Sequence, residues 1–376
     1  MNELTSALFA FTAQKQIDLT GVTTAEPVHC LPWKYDMDET HYRPCEPSKI
    51  APDTYDPGKI LPGAQSVIMA GMYMYGFDHL IASEPGCPRG NIGPWTRGYV
   101  EAGRYAADSI AQWLTARGYR AVFTNALPYR TLAVRSGIGR IGNNGFLYHE
   151  AMGCYLRLTC VVTDALLTPY QGPPMDGNDC GACRLCAKSC PTGALRGPRD
   201  YCADDCLHLW LQGQGSCADG IPPEKRHMCR NYLMRTGLCL SVCRRNRNLK
   251  PRASFPFQAE QKEDSPALIP LVTADEAAYR SRLPYHVHKY GIHYIRRNVI
   301  LALGNAADPA AVPALQEGLH ILTPDCRALC AWALGEIGTK QAEEALLERE
   351  QEETEPAVLA ELRQAKEKLR ENIRNK

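Results

Sequence analysis

The 376-residue sequence has almost no net charge, with 42 lysines and arginines against 41 aspartates and glutamates. Bulk electrostatics therefore exert no pull toward nucleic acid or an anionic membrane. No apolar run is long enough to span a bilayer. The first residues, MNELTSALFAFTAQKQ, lack a basic region ahead of the apolar ones and lack a twin arginine, so they do not read as an export signal. The expectation is a cytoplasmic chain without membrane contact. Cysteine, by contrast, is abundant: there are 17, and ten of them lie between Cys180 and Cys243. Cytosolic thiols stay reduced, so clustered cysteines in a chain of this size point to metal rather than to disulfides.

Length alone suggests more than one domain. Residues 1–170 read as an α/β (α+β) domain. SVIMAGMYM (66–74) and AVFTNAL (121–127) have strand character, and YLRLTCVVTDALL (155–167) is rich in β-branched residues suited to a core strand. GYVEAGRYAADSIAQWLTARGY (98–119) has helical spacing, with Val100, Tyr105, Ile110 and Leu114 on one side. SGIGRIGNNGF (136–146) holds four glycines, which suits a loop that brings backbone close to a ligand. Residues 171–250 form the cysteine-rich part, and 251–284, with its prolines, reads as a linker. Residues 285–376 read as helical. RRNVILALGN (296–305) recurs as RALCAWALGE (327–336) at an offset of 31 residues, the mark of stacked helical pairs. The last 34 residues are expected to form an exposed helix. HVHKYGIH (286–293) is read as a helix-entry surface, because its histidines lack clean metal-ligand spacing.

CGACRLCAKSCP (180–191) has the C-x2-C-x2-C-x3-C-P spacing of an iron–sulfur motif. Three cysteines at this spacing wrap one [4Fe–4S] cluster, and in two-cluster ferredoxins the fourth serves the other cluster. Zinc sites use two separated C-x2-C knuckles instead. The expectation is a ferredoxin-like domain with two [4Fe–4S] clusters. The first would be held by Cys180, Cys183, Cys186 and Cys243, and the second would include Cys190 and Cys239.

These pieces together resemble the epoxyqueuosine reductases, cobalamin- and iron–sulfur-dependent enzymes of tRNA queuosine synthesis related to reductive dehalogenases. The resemblance covers most of the chain: ILPGAQSVIMAG (60–71), LAVRSGIGRIGNNGFL (132–147), the first cysteine motif, IPPEKRHMCRNYLMRTGLCLSVCRRN (221–246), and the HEAT-like segments 294–315 and 330–338. It implies cobalamin beside the glycine loop, with Gly137, Gly139, Ile141, Gly142, Asn143 and Asn144 as its contacts. It also implies electrons passing through two clusters to cobalt, and Cys206 as an upstream ligand of the second cluster. No D-x-H-x-x-G signature of the other common corrinoid module occurs.

Two departures are informative. The first cysteine of the family's second motif falls on Thr236, so another residue must complete the second cluster. Cys229 is the favoured candidate, with Cys217 and Cys202 as alternatives. The family's acidic proton donor falls on Asn125, and an amide is no general acid at neutral pH. Tyr129 and Tyr105 are then candidates, with Tyr148 beside His149 as a third. The resemblance implies a reductase acting on a small molecule or modified nucleoside. With the acid position changed, the alternatives are an electron-transfer or reductive activation protein for another corrinoid protein, or a reductive-dehalogenase-like enzyme. CRRNRNLKPR (243–252) offers a basic patch for tRNA phosphate or for an acidic ferredoxin or flavodoxin.

Overall fold

A computed structural model describes residues 1–29, 54–76, 81–93, 98–175, 177, 179–198, 200–259, 262–284 and 291–374. The chain divides into two compact units. One comprises Met1–Phe77, Arg97–Cys206 and Gly237–Glu260, and the other Asp78–Thr96, Leu207–Thr236 and Gln261–Lys376. The cysteine-rich stretch, expected as one domain, is thus shared between the two.

The first unit is built on four strands: β1 (Leu19–Thr24), β2 (Ser66–Tyr73), β3 (Ala121–Thr124) and β4 (Leu156–Thr163). They pair in the order β1-β2-β4-β3, antiparallel throughout, which makes the unit α+β. The apolar runs at 66–74 and 155–167 form the two central strands. Every residue of β4 and all but Tyr73 of β2 are buried, because both faces of the sheet are covered. β3 is an edge strand and leaves Val122 and Phe123 exposed.

Helix α1 (Glu3–Gln14) is capped by Asn2, whose side chain accepts from the Thr5 N–H at 2.9 Å. Helix α2 (Tyr99–Thr115) packs on one sheet face. Its buried side is Ala102, Gly103, Ala106, Ala107, Ile110, Trp113 and Leu114, whereas Val100 and Tyr105 are half-exposed. The expected stripe followed the bulky residues, but the small ones face the sheet because they let the helix approach. At Gly103 an added Cβ would stand 2.7 Å from Nε of Arg157, whose guanidinium lies over the Tyr99 ring at 4.3 Å. Burying Ile110 and Leu114 stabilises the unit by about 1.5–3 kcal/mol each. Helix α3 (Tyr129–Arg135) covers the other face. Leu132, Ile138 and Ile141 meet Val67, Met69, Leu158 and Val162 there, and Cys186, Cys190 and Cys239 pack against the same core.

The second unit is helical: α4 (Ile292–Ala306), α5 (Val312–Ile321), α6 (Pro324–Ile337), α7 (Lys340–Glu352) and α8 (Pro356–Arg374). The sequence repeat falls on α4 and α6, and its glycine has the same use in both. A Cβ on Gly304 would meet the Trp332 ring at 2.4 Å, and one on Gly335 would meet Ala365 at 2.9 Å. Each glycine thus lets the next helix pair come close, as stacked repeats require. The tail differs from the single exposed helix expected. It forms two helices, and Val358, Leu362, Ala365 and Leu369 are buried at i, i+4, i+7 and i+11. Its many charges concealed this stripe. Segment 251–284, read as a linker, contains a helix (Glu276–Arg282) and buries Leu268, Leu271, Val272 and Tyr279. Of HVHKYGIH, residues 286–290 lie outside the described residues. His293 is exposed at the start of α4, with Nε2 3.0 Å from a carboxylate oxygen of Asp325.

Candidate iron–sulfur and cofactor site

Within the first unit, Cys180, Cys183, Cys186 and Cys243 line one cavity. A tight turn sets the first two, with the Cys183 N–H donating to the Cys180 carbonyl at 3.0 Å. Cys186 lies on the short helix Leu185–Ser189, and Cys190 ends that helix in an extended conformation that turns it out of the turn serving the first three. Cys243 immediately precedes the 3₁₀ turn Arg244–Asn246. A fifth thiol, Cys154, lines the same cavity with its Sγ 3.9 Å from that of Cys243. No spacing in the sequence links Cys154 to the motif, so reading the sequence missed it.

The glycine loop is stitched to these cysteines. The Asn143 backbone N–H donates to the Cys180 sulfur at 3.5 Å, and its side-chain amide donates to the Cys183 carbonyl at 3.2 Å. The Asn144 amide donates to the Cys239 carbonyl at 3.1 Å. Gly142 belongs here too, since its Cβ would stand 3.7 Å from the Cys180 sulfur. Ile141 is buried in the sheet core. Gly137 has φ +76° and packs beneath Tyr170, and a Cβ on Gly139 would stand 2.5 Å from the Tyr148 carbonyl oxygen. The six residues expected at a corrin thus all contact the protein's own chain, and three of them face the thiols. Beside Gly137 and Tyr170 opens a cleft of about 530 Å³, lined in part by Thr23, Thr24, Thr131, Arg135 and Tyr170.

The electrostatics of the thiols are uneven. Cys243 is held below the ordinary thiol range by the hydrogen bond from Cys154, the Arg245 N–H and the charges of Arg245 and Arg244. Burial pushes Cys186 and Cys239 up. Arg244 and Arg245 both donate to the Asp179 carbonyl, and Arg245 lies over the Tyr148 ring at 4.6 Å. The Tyr148 hydroxyl is 3.1 Å from a carboxylate oxygen of Asp179, and burial raises its pKa.

The thiols that act on Cys239 are Cys206, Cys186 and Cys190, so Cys190 and Cys206 lie near it, as does Cys186. Cys229 is buried in the second unit, with Cys217 and Arg297 as neighbours, and burial pushes its thiol up to about 12. Cys202 is disulfide-bonded rather than a free thiol.

Asn125 is exposed on the bend that follows β3. The Tyr129 hydroxyl donates to the Thr124 carbonyl at 2.7 Å, so this buried tyrosine clamps the bend. The Tyr105 hydroxyl donates to the Lys15 carbonyl at 3.0 Å, and its ring packs on Phe257. Both candidate proton donors therefore hold structural hydrogen bonds.

Comparison with known proteins adds three findings. HEAT repeats match residues 293–366. An epoxyqueuosine reductase of Staphylococcus aureus is 27% identical over 344 residues, 87% of either chain, and one of Bacillus cereus is 25% identical over 388 aligned positions, 98% of either chain. A crystal structure of an epoxyqueuosine reductase with an epoxyqueuosine-modified tRNA-Tyr stem loop matches 98% of this chain and 99% of its own, with a TM-score of 0.82 at 24% identity. That likeness fixes the fold: an α+β unit with a HEAT-like helical region. Full-length sequence relatives, a shared fold and the cysteine pattern agree: the chain resembles the epoxyqueuosine reductases over nearly its whole length and is an oxidoreductase.

Proposed function

We propose that this reductase carries two [4Fe–4S] clusters and a corrin, and acts on a modified nucleoside borne by a tRNA stem loop. The observation that carries the reading is the convergence of Cys180, Cys183, Cys186 and Cys243 on one cavity, with Cys190 and Cys239 packed on the core beside it and Cys206 near Cys239. The donor set is all thiol, which suits iron–sulfur and excludes the oxygen-preferring cations. The first four cysteines would hold one cluster, and the other three would supply ligands to the second.

The corrin reading rests on the resemblance to epoxyqueuosine reductases and on the cleft beside Gly137. Threonine hydroxyls from Thr23, Thr24 and Thr131 suit the amide arms of a corrin, and the Arg135 guanidinium suits a phosphate. Among the described residues, no histidine lines the cleft. When bound, the clusters would carry single electrons and the corrin would supply the reducing metal centre.

The chain's own residues arrange the rest. Asn143 and Asn144 hold the glycine loop against the cluster ligands. Exposed Arg244, Arg247 and Lys250 form a basic surface next to Cys243, suited to an acidic donor such as ferredoxin or flavodoxin. Reduction of an epoxide to an alkene consumes two electrons and two protons and releases water. Asn125 holds no transferable proton at neutral pH, so water at its exposed bend would have to deliver them. That same residue favours a second reading, in which the chain reduces another corrinoid protein rather than a small substrate.

The test is anaerobic. Protein reconstituted with iron, sulfide and cobalamin is given a chemically reduced donor and an epoxyqueuosine-containing stem loop, and the oligonucleotide is weighed by mass spectrometry. Loss of one oxygen supports the first reading. Unchanged oligonucleotide, together with electron delivery to a separate corrinoid protein, supports the second.

A further inference from the structure

We infer that Cys154 is a positioning residue for the first cluster: its thiol donates an S–H···S hydrogen bond to the Sγ of Cys243 and sets that cluster's reduction potential. This rests on the assignment of Cys243 as a cluster ligand under the proposed function.

The geometry is built rather than incidental. The two sulfurs are 3.9 Å apart, and Cys154 is 2% exposed. Its backbone N–H donates to Oδ1 of Asn246 at 2.8 Å. Asn246 is itself buried, with its amide donating to the Leu240 carbonyl at 2.8 Å and its N–H donating to the Cys243 carbonyl at 2.9 Å. One asparagine therefore ties Cys154 to the turn that carries Cys243. Gly153 makes the approach possible: it has φ +55°, and a Cβ there would stand 2.2 Å from Oδ1 of Asn246. Two residues after Cys154, β4 enters the sheet core and fixes the segment from the other side. Asn144, whose amide donates to the Cys239 carbonyl at 3.1 Å, lines the same cavity as Cys154.

The direction of the bond follows from the chemistry. A thiolate bound to iron has no proton to give, so the proton on the S–S axis belongs to Cys154. Hydrogen bonds to cluster sulfurs stabilise the more negative, reduced state and raise the potential. Removing this one should make the first cluster harder to reduce and leave the second unchanged.

The experiment is an EPR-monitored redox titration of the reconstituted full chain, with iron counted on each sample. Wild type is compared with Cys154→Ala, Cys154→Ser and Cys160→Ala, the last removing a thiol buried in the sheet core. The expected result is full iron in all four. One midpoint should be more negative in Cys154→Ala, largely restored in Cys154→Ser, and unmoved in Cys160→Ala. Unshifted midpoints in Cys154→Ala would overturn the inference, since the contact would then be packing alone. Loss of one cluster's iron in that variant would also overturn it, because Cys154 would then be a ligand. Wild type that binds no iron would instead remove the proposed function on which the inference stands.

Discussion

Glu353 joins α7 to α8, and its replacement gives a calculable outcome. Its carboxylate accepts from Nε and Nη2 of Arg327 at 2.8 and 2.9 Å, and from Nε and Nη2 of Arg349 at 3.0 and 2.8 Å. It also accepts from the backbone N–H groups of Thr354 and Glu355, both at 3.0 Å. The side chain is 1% exposed, and those of Arg327 and Arg349 are 14% and 13% exposed, so water cannot replace the carboxylate. Breaking a buried pair from one side costs about 3–5 kcal/mol. At roughly 2–4 °C per kcal/mol for a unit of this size, Glu353→Ala should lower the Tm of the helical signal by about 6–20 °C at pH 7. The Arg327 hydrogen bonds hold the Glu353 carboxyl well below the usual carboxylate range. A depressed folded pKa means stability that is fully present above the unfolded value, near 4.3, and lost as pH falls toward the folded one. The gap between wild type and variant should therefore stay constant from pH 8 to about 5 and narrow below about 4. Far-UV circular dichroism melts across pH would check this. A loss under about 2 °C, or a gap that widens in acid, would refute the reasoning.

Three further outcomes follow from the site. Cys183→Ala should lower iron from about eight to about four per chain, and Cys206→Ala should remove the other four, as read by colorimetric iron and sulfide assays. Asn125→Asp places a carboxyl at the bend and should raise reduction of epoxyqueuosine stem loops by about 10²-fold or more, with a rate that climbs as pH falls toward the carboxyl pKa; wild type that already turns over as fast would refute the importance given to this position. Gly137→Ala forces a Cβ into positive φ and to 2.3 Å from the Tyr170 ring. Its cost should be about 1–3 kcal/mol in chemical denaturation.

What was legible in the sequence depended on how locally it was written. The C-x2-C-x2-C-x3-C-P run carries its geometry in its own spacing, and Cys180, Cys183 and Cys186 do line one cavity. The central strands were readable because two covered sheet faces require unbroken apolar runs. The α2 face was misjudged because side-chain bulk was weighted above closeness of approach, which alanine and glycine permit. Tyr129 and Tyr105 suggested acids because the carbonyls they bond are invisible to sequence, one five residues away and the other ninety. Cys154 was missed for the same reason: only the folded chain brings it to Cys243, 89 residues on. The glycine loop pointed correctly to close approach, but much of what it approaches is the chain's own cysteines and aromatics.

The central claim is that these thiols carry two clusters beside a corrin, and metal content tests it most directly. Iron, sulfide and cobalt would be measured on anaerobically reconstituted protein before and after incubation with cobalamin, with a visible spectrum at each step. The account predicts about eight irons, an equal amount of sulfide and about one cobalt per chain. Iron with no cobalt uptake would contradict the corrin assignment, and zinc in place of iron would contradict the account as a whole.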